Sequence, residues 1–122
     1  MADKKILIID DEEDIRELVK MTLGDKYEII EAYDGLSGLD IAREEKPDLI
    51  LLDMMMPIVS GKDVCKRLKS SRDTCKIPIV ILTAGGIEAA MKGMSEKADY
   101  FIIKPFSTDQ LEAKVEQALS KN

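Results

Sequence analysis

The chain has no histidine and no tryptophan. Without an imidazole it can form neither a His-based catalytic triad, nor a histidine metal site, nor a phosphohistidine of its own. Cys65 and Cys75 are its two cysteines, and they do not form a C-x-x-C pair. Two thiols cannot close a structural zinc site, so both are read as packing or loop residues. No apolar stretch approaches the length of a membrane span, and Met1-Ala2-Asp3-Lys4-Lys5 lacks the apolar segment of a signal peptide. The chain is therefore read as cytoplasmic and not inserted in a membrane, and no disulfide is expected. Basic residues form no cluster beyond isolated pairs and the net charge is -6, which argues against direct contact with nucleic acid. Repeats, low-complexity tracts and linkers are also absent. The 122 residues are read as one domain, 1–122, with a single core and no second domain.

What is present is an alternation. Apolar runs at 5–9, 28–31, 48–52, 79–82 and 100–103 read as strands. Between them, apolar residues recur at helical spacing. Ile15, Leu18, Val19, Thr22 and Leu23 mark a first helix that stops at Gly24. A second runs from about Gly35 to Lys46, with Leu36, Leu39 and Ala42 inward and Pro47 as its stop. Val64, Cys65 and Leu68 mark a third. Ile87, Ala90, Met91 and Met94 mark a fourth, behind a loose Gly85-Gly86 start. The last turns Leu111, Val115, Ala118 and Leu119 inward and opens with Ser107-Thr108-Asp109-Gln110, the spacing of a capping box. Strict alternation predicts an α/β fold with right-handed crossovers and a parallel sheet covered on both faces.

Polar residues gather where the strands end. Asp53 closes the unbroken run Leu49-Ile50-Leu51-Leu52, the first strand ends in Asp10-Asp11-Glu12-Glu13, the fourth in Thr83, the fifth in Lys104-Pro105. In open parallel sheets, chemistry collects just beyond the carboxyl ends of the strands. Carboxylates crowded there repel unless a cation compensates, and a hard divalent ion such as Mg²⁺ suits oxygen ligands. A carboxylate can also attack phosphorus, with a metal, a lysine and a hydroxyl covering the charge on the phosphoryl oxygens. The residues therefore read as a Mg²⁺-assisted phospho-accepting aspartate.

Four motifs in order carry a family resemblance: Ile8-Ile9-Asp10-Asp11-Glu12, Asp53-Met54-Met55-Met56-Pro57 with Gly61, Leu82-Thr83-Ala84, and Lys104-Pro105-Phe106. Over essentially its whole length the chain resembles the receiver domain of bacterial two-component response regulators, of the stand-alone, single-domain type. The resemblance implies a flavodoxin-like, doubly wound (βα)5 fold with five parallel strands in the order 2-1-3-4-5, and the acids at the switch point. It implies that Asp53 accepts a phosphoryl group from a phosphohistidine on a sensor histidine kinase or phosphotransfer protein. Asp11, Asp53 and the Met55 backbone carbonyl would hold Mg²⁺, with Asp10 acting mainly through water. Lys104 would pair with the phosphoryl oxygens, Thr83 would close on them, and the bond before Pro105 would be cis. Phe101 stands at the family's switch aromatic, often Tyr. Thr83, Phe101 and the surface of helix 4 would carry the signal to a downstream effector protein. Such a chain is a signalling switch and not a metabolic enzyme, although it catalyses its own phosphorylation and dephosphorylation.

Plainer readings exist for several of these residues. Asp10 and Asp11 could cap the first helix, and Glu12, Glu13 and Asp14 read as a solvated face. Capping leaves Asp53 unexplained. Met54, Met55 and Met56 read as gap fillers, and Tyr100 should point to the face opposite Phe101. A Mg²⁺-dependent aspartate-nucleophile phosphatase is the enzymatic alternative, but it wants D-x-D at the first strand and a capping segment. A flavin carrier wants a Ser/Thr/Gly-rich phosphate loop, whereas the acids at 10–14 would repel a phosphate.

Overall fold

The computed structural model describes residues 3–120. The chain alternates β1 (Lys5–Ile9), α1 (Glu13–Leu23), β2 (Glu28–Ala32), α2 (Gly35–Glu45), β3 (Leu49–Asp53), α3 (Gly61–Ser70), β4 (Ile79–Thr83), α4 (Gly86–Ser95), β5 (Tyr100–Ile103) and α5 (Thr108–Ser120). The strands form one sheet in the order β2-β1-β3-β4-β5, every neighbouring pair parallel. The alternation predicts the parallel sheet, and the order is the one the receiver-domain resemblance implies.

Strand residues of alternate parity feed two apolar layers. Leu7, Ile9, Ile50, Leu52, Ile79 and Ile81 pack with Leu39 and Ala42 of α2 and with Val64, Cys65 and Leu68 of α3. Ile6, Ile8, Leu49, Leu51, Val80 and Leu82 pack with Val19 and Leu23 of α1 and with Leu111, Val115 and Ala118 of α5. Both central strands are buried along their whole length, as strands covered by helices on two faces must be. Tyr100 and Phe101 pack on opposite faces, as alternation requires. Among the described residues no helix is long and apolar enough to cross a membrane.

Several boundaries and faces differ from expectation. β3 begins at Leu49, one residue late, because the Asp48 carboxylate accepts the Lys5 backbone N–H at 2.8 Å. β2, β3 and β4 each extend one residue further, to Ala32, Asp53 and Thr83. The ladder explains the extension: Met54 donates to the Leu82 carbonyl at 3.1 Å and Lys104 to the Thr83 carbonyl at 2.7 Å. Asp53 and Thr83 are thus strand residues, not the first residues of loops. α2 ends at Glu45, with Lys46 left-handed (φ 46) ahead of Pro47. Leu36 is 55% exposed, not inward, and Ile87 and Met91 on α4 are 59% and 45% exposed. Beside Leu39, the faces that meet the sheet carry small residues, Gly38 and Ala42 on α2, Ala90 and Gly93 on α4. A Cβ at Gly38 would meet Ile9 and one at Gly93 would meet Ile81, so close approach at these points requires glycine. The capping box of α5 forms reciprocally: Ser107 N–H donates to Gln110 Oε1 at 2.8 Å and Gln110 N–H to Ser107 Oγ at 3.1 Å.

Candidate functional site

The near-level register brings the strand ends to one edge. Ile9 pairs with Leu52, so Asp10 follows beside Asp53; Asp53 pairs with Leu82, and Thr83 with Ile103, one residue before Lys104. Oxygens of Asp10, Asp11, Glu12 and Asp53 lie within 4.8 Å of one another. Asp10 and Asp53 are buried, while Asp11 and Glu12 are exposed.

Every oxygen of Asp10 is engaged. Oδ1 accepts the Glu12 N–H at 2.9 Å, Oδ2 accepts Lys104 Nζ at 3.0 Å, and the backbone carbonyl accepts Arg16 Nη1 at 2.9 Å. Asp53 Oδ1 accepts the Met55 N–H at 3.1 Å and lies 3.7 Å from Lys104 Nζ. The Lys104 ammonium, whose side chain is 8% exposed, also reaches Glu12 Oε1 at 3.2 Å. Its peptide bond to Pro105 is cis. Thr83 is fully buried, and its hydroxyl accepts the Gly85 N–H at 3.0 Å.

Burial and, secondarily, charge crowding shift the buried acids of this edge upward. Burial pushes the Asp53 carboxyl up to about 6; Asp10 and Asp11 add to this, while the Met55 N–H and Lys104 oppose it. Asp10 is raised as well, by burial first, against its bonds from the Glu12 N–H and Lys104. Burial alone would lower Lys104, but its bond to Asp10 and the charges of Asp10 and Asp53 hold the ammonium above its ordinary value. Four carboxylates face one ammonium here. The excess negative charge and the all-oxygen donor set fit a hard divalent cation such as Mg²⁺.

The edge unites Asp10, Asp11, Asp53, Thr83 and Lys104. Phe101 stands apart, half-buried against the layer that holds Met94, while Tyr100 carries Lys114 Nζ 5.5 Å above its ring. Glu12 corrects the solvated-face reading, because it joins Asp10 around Lys104. It also occupies the N-cap of α1 without any side-chain cap bond. Asp10 caps nothing in α1 either: its carboxylate closes a two-residue turn onto Glu12. Met54 and Met56 are buried as gap fillers, but the Met55 side chain is 63% exposed. Arg16 carries no signal in the sequence, because its partners are Glu31 on β2 and the Asp10 carbonyl. Cys65 and Cys75 are free, and burial pushes the Cys65 thiol up to about 11.

The family model described as the response regulator receiver domain matches residues 6–116. The phosphate regulon transcriptional regulatory protein PhoB of Pseudomonas aeruginosa is 42% identical over 123 residues, which cover 99% of this chain and 54% of that protein. The DNA-binding dual master transcriptional regulator RpaA of Synechocystis is 40% identical over 119 residues, 96% of this chain and 49% of that protein. The chain thus spans about half the length of these curated relatives. Among solved structures, the chemotaxis protein CheY4 of Vibrio cholerae superposes with a TM-score of 0.90 at 31% identity, covering 97% of this chain and 100% of that one.

Proposed function

Since the chain belongs to the response regulator receiver domain family, whose members act in phosphorylation-dependent two-component signalling, we propose that Asp53 is its phosphoacceptor. The donor in this reading is a phosphohistidine on a sensor histidine kinase or phosphotransfer protein. The observation that carries the reading is a buried ammonium, Lys104, reaching Asp10 at 3.0 Å and Asp53 at 3.7 Å. In a fold at rest, one lysine shared among three acids has little packing value; opposite a phosphoryl group it supplies charge cover.

An Asp53 carboxylate oxygen attacks phosphorus, the new O–P bond forms as the P–N bond breaks, and the electron pair returns to the imidazole. With its carboxyl at about 6, Asp53 is mostly ionised at neutral pH and available as the nucleophile. Lys104 offsets charge on the phosphoryl oxygens, and the Thr83 hydroxyl swings from the Gly85 N–H to donate to one of them. Asp11, Asp53 and the Met55 carbonyl are the proposed Mg²⁺ ligands, with Asp10 acting mainly through water. When bound, Mg²⁺ supplies further positive charge to the same oxygens.

Thr83 and Phe101 lie on β4 and β5 beside α4, whose Ile87 and Met91 are exposed. Movement there would present a changed surface to a downstream effector protein. The chain is in this view a switch that catalyses its own phosphorylation and dephosphorylation, not a metabolic enzyme. No direct nucleic-acid contact is assigned to it, and a cytoplasmic location follows from the kinase partner. No observation favours the aspartate-nucleophile phosphatase, since β1 runs into Asp10-Asp11 and not into D-x-D.

The test is labelling with a small phosphodonor and Mg²⁺. Phosphate should appear on Asp53, and Asp53→Asn should abolish it. Labelling that persists in the variant ends the assignment.

A further inference from the structure

Arg16 lies on α1, outside the phosphoryl-handling residues, and its side chain is 14% exposed. Its guanidinium is used at two points. Nη1 donates to the Asp10 backbone carbonyl at 2.9 Å, and Nε donates to Glu31 Oε1 on β2 at 3.1 Å. Glu31 Oε2 in turn meets Lys20 Nζ at 3.0 Å, and Lys20 meets Glu17 at 2.8 Å. The Lys20 bond, followed by that from Arg16, holds the Glu31 carboxyl below the usual range. Glu31 is therefore an anion at neutral pH, an anchor that fixes where the guanidinium sits.

The carbonyl that Arg16 grips belongs to the peptide unit joining Asp10 to Asp11. That unit is planar, so fixing its oxygen fixes the direction in which the Asp11 Cα leaves. On the other side of Asp10, the backbone N–H donates to the Ala32 carbonyl at 3.1 Å. β2 and α1 thus hold the β1–α1 turn from both sides, and the fork geometry of arginine spans the gap between them. We infer that Arg16 is a positioning residue of the Mg²⁺ site, orienting the Asp10–Asp11 turn so that its carboxylates converge with Asp53. The inference rests on the Mg²⁺ reading of the preceding subsection.

Two physical effects of removing Arg16 have opposite signs. Its charge repels a nearby cation, so Coulomb's law alone makes loss of the guanidinium tighten Mg²⁺ binding. Loss of an outer partner that orients ligands weakens metal binding, typically by ten- to a hundredfold. The sign of the change therefore separates orientation from charge. A purely structural role would lower the melting temperature without moving the affinity.

Mg²⁺ titrations followed by two-dimensional NMR on the intact chain, with Mg²⁺-free melting curves beside them, decide the matter. Arg16→Gln should raise the Mg²⁺ Kd about tenfold. Arg16→Lys, which keeps the charge but loses the fork, should raise it by a smaller factor, about threefold. Lys20→Gln, which alters Glu31 without touching Asp10, should leave it unchanged. Unchanged or tighter binding in Arg16→Gln overturns the inference. Should that variant fail to fold, Arg16→Lys decides, and wild-type affinity there overturns it equally. A wild-type chain that binds no Mg²⁺ fails earlier and for a different reason, taking down the metal reading itself.

Discussion

At the scale of single residues, Asp53 combines near-complete burial, 2% exposed, with neighbours of its own sign. Its carboxyl at about 6 in the fold compares with an ordinary 3.8, so between those values the folded chain binds the extra proton. Stability contributed by this group is then highest near pH 4 and falls as pH rises through 6. Asp53→Asn, nearly isosteric and never charged, should stabilise the metal-free chain at pH 7 by on the order of 2 kcal/mol, and the gain should vanish toward pH 4. Urea unfolding in chelator at several pH values measures it; a difference that does not change with pH contradicts the cause given. Asp53, Thr83 and Lys104 were legible in the sequence because each interrupts an apolar run where packing has no use for it. Glu12 and Arg16 were not. One acid in a run of five, and one arginine on a helix, look like ordinary surface until α1 folds back on β2.

At the scale of elements, the β3–α3 connection ties Asp53, the proposed phosphoacceptor, to a helix start. Gly61 opens α3 behind the Ser60 cap, which accepts the Asp63 N–H at 3.2 Å, and its own N–H donates to the Met54 carbonyl at 3.2 Å. A Cβ on Gly61 would run into the Asp53 carbonyl oxygen and the Met54 Cα. Those are backbone atoms that cannot rotate aside. Gly61→Ala should therefore cost about 2 kcal/mol or more and slow labelling of Asp53 from a small phosphodonor, because the strand end itself must shift. Wild-type unfolding midpoints and labelling rates would refute this. Helix faces were the least legible feature. Periodicity reveals that α4 is amphipathic, but hydrophobicity alone selects Ile87 and Met91, which are exposed. The face is set by close approach: a side chain at Gly93 would meet Ile81 Cγ1 at 2.7 Å.

At the scale of the whole molecule, the parallel sheet was legible because β3 and β4 are apolar up to their last residues, Asp53 and Thr83, and lack polar alternation, as strands covered on both faces do. The same topology creates the molecule's main electrostatic cost. Strand order β2-β1-β3-β4-β5 brings the ends of the adjacent strands β1 and β3 together, and four carboxylates then cluster there, three of them sharing one lysine. A cation that binds this edge only in the folded chain must stabilise the fold. At a Mg²⁺ concentration ten times Kd the gain is about 1.4 kcal/mol, which for a domain of this size raises Tm by about 5 °C. Millimolar Mg²⁺ at pH 7 should produce that rise, matched KCl should not, and Asp53→Asn should reduce it. Near pH 5 the rise should shrink, because a proton on Asp53 competes with the metal for the same oxygens. A melting temperature at pH 7 that ignores millimolar Mg²⁺ would mean that the acids at this edge are held by Lys104 alone.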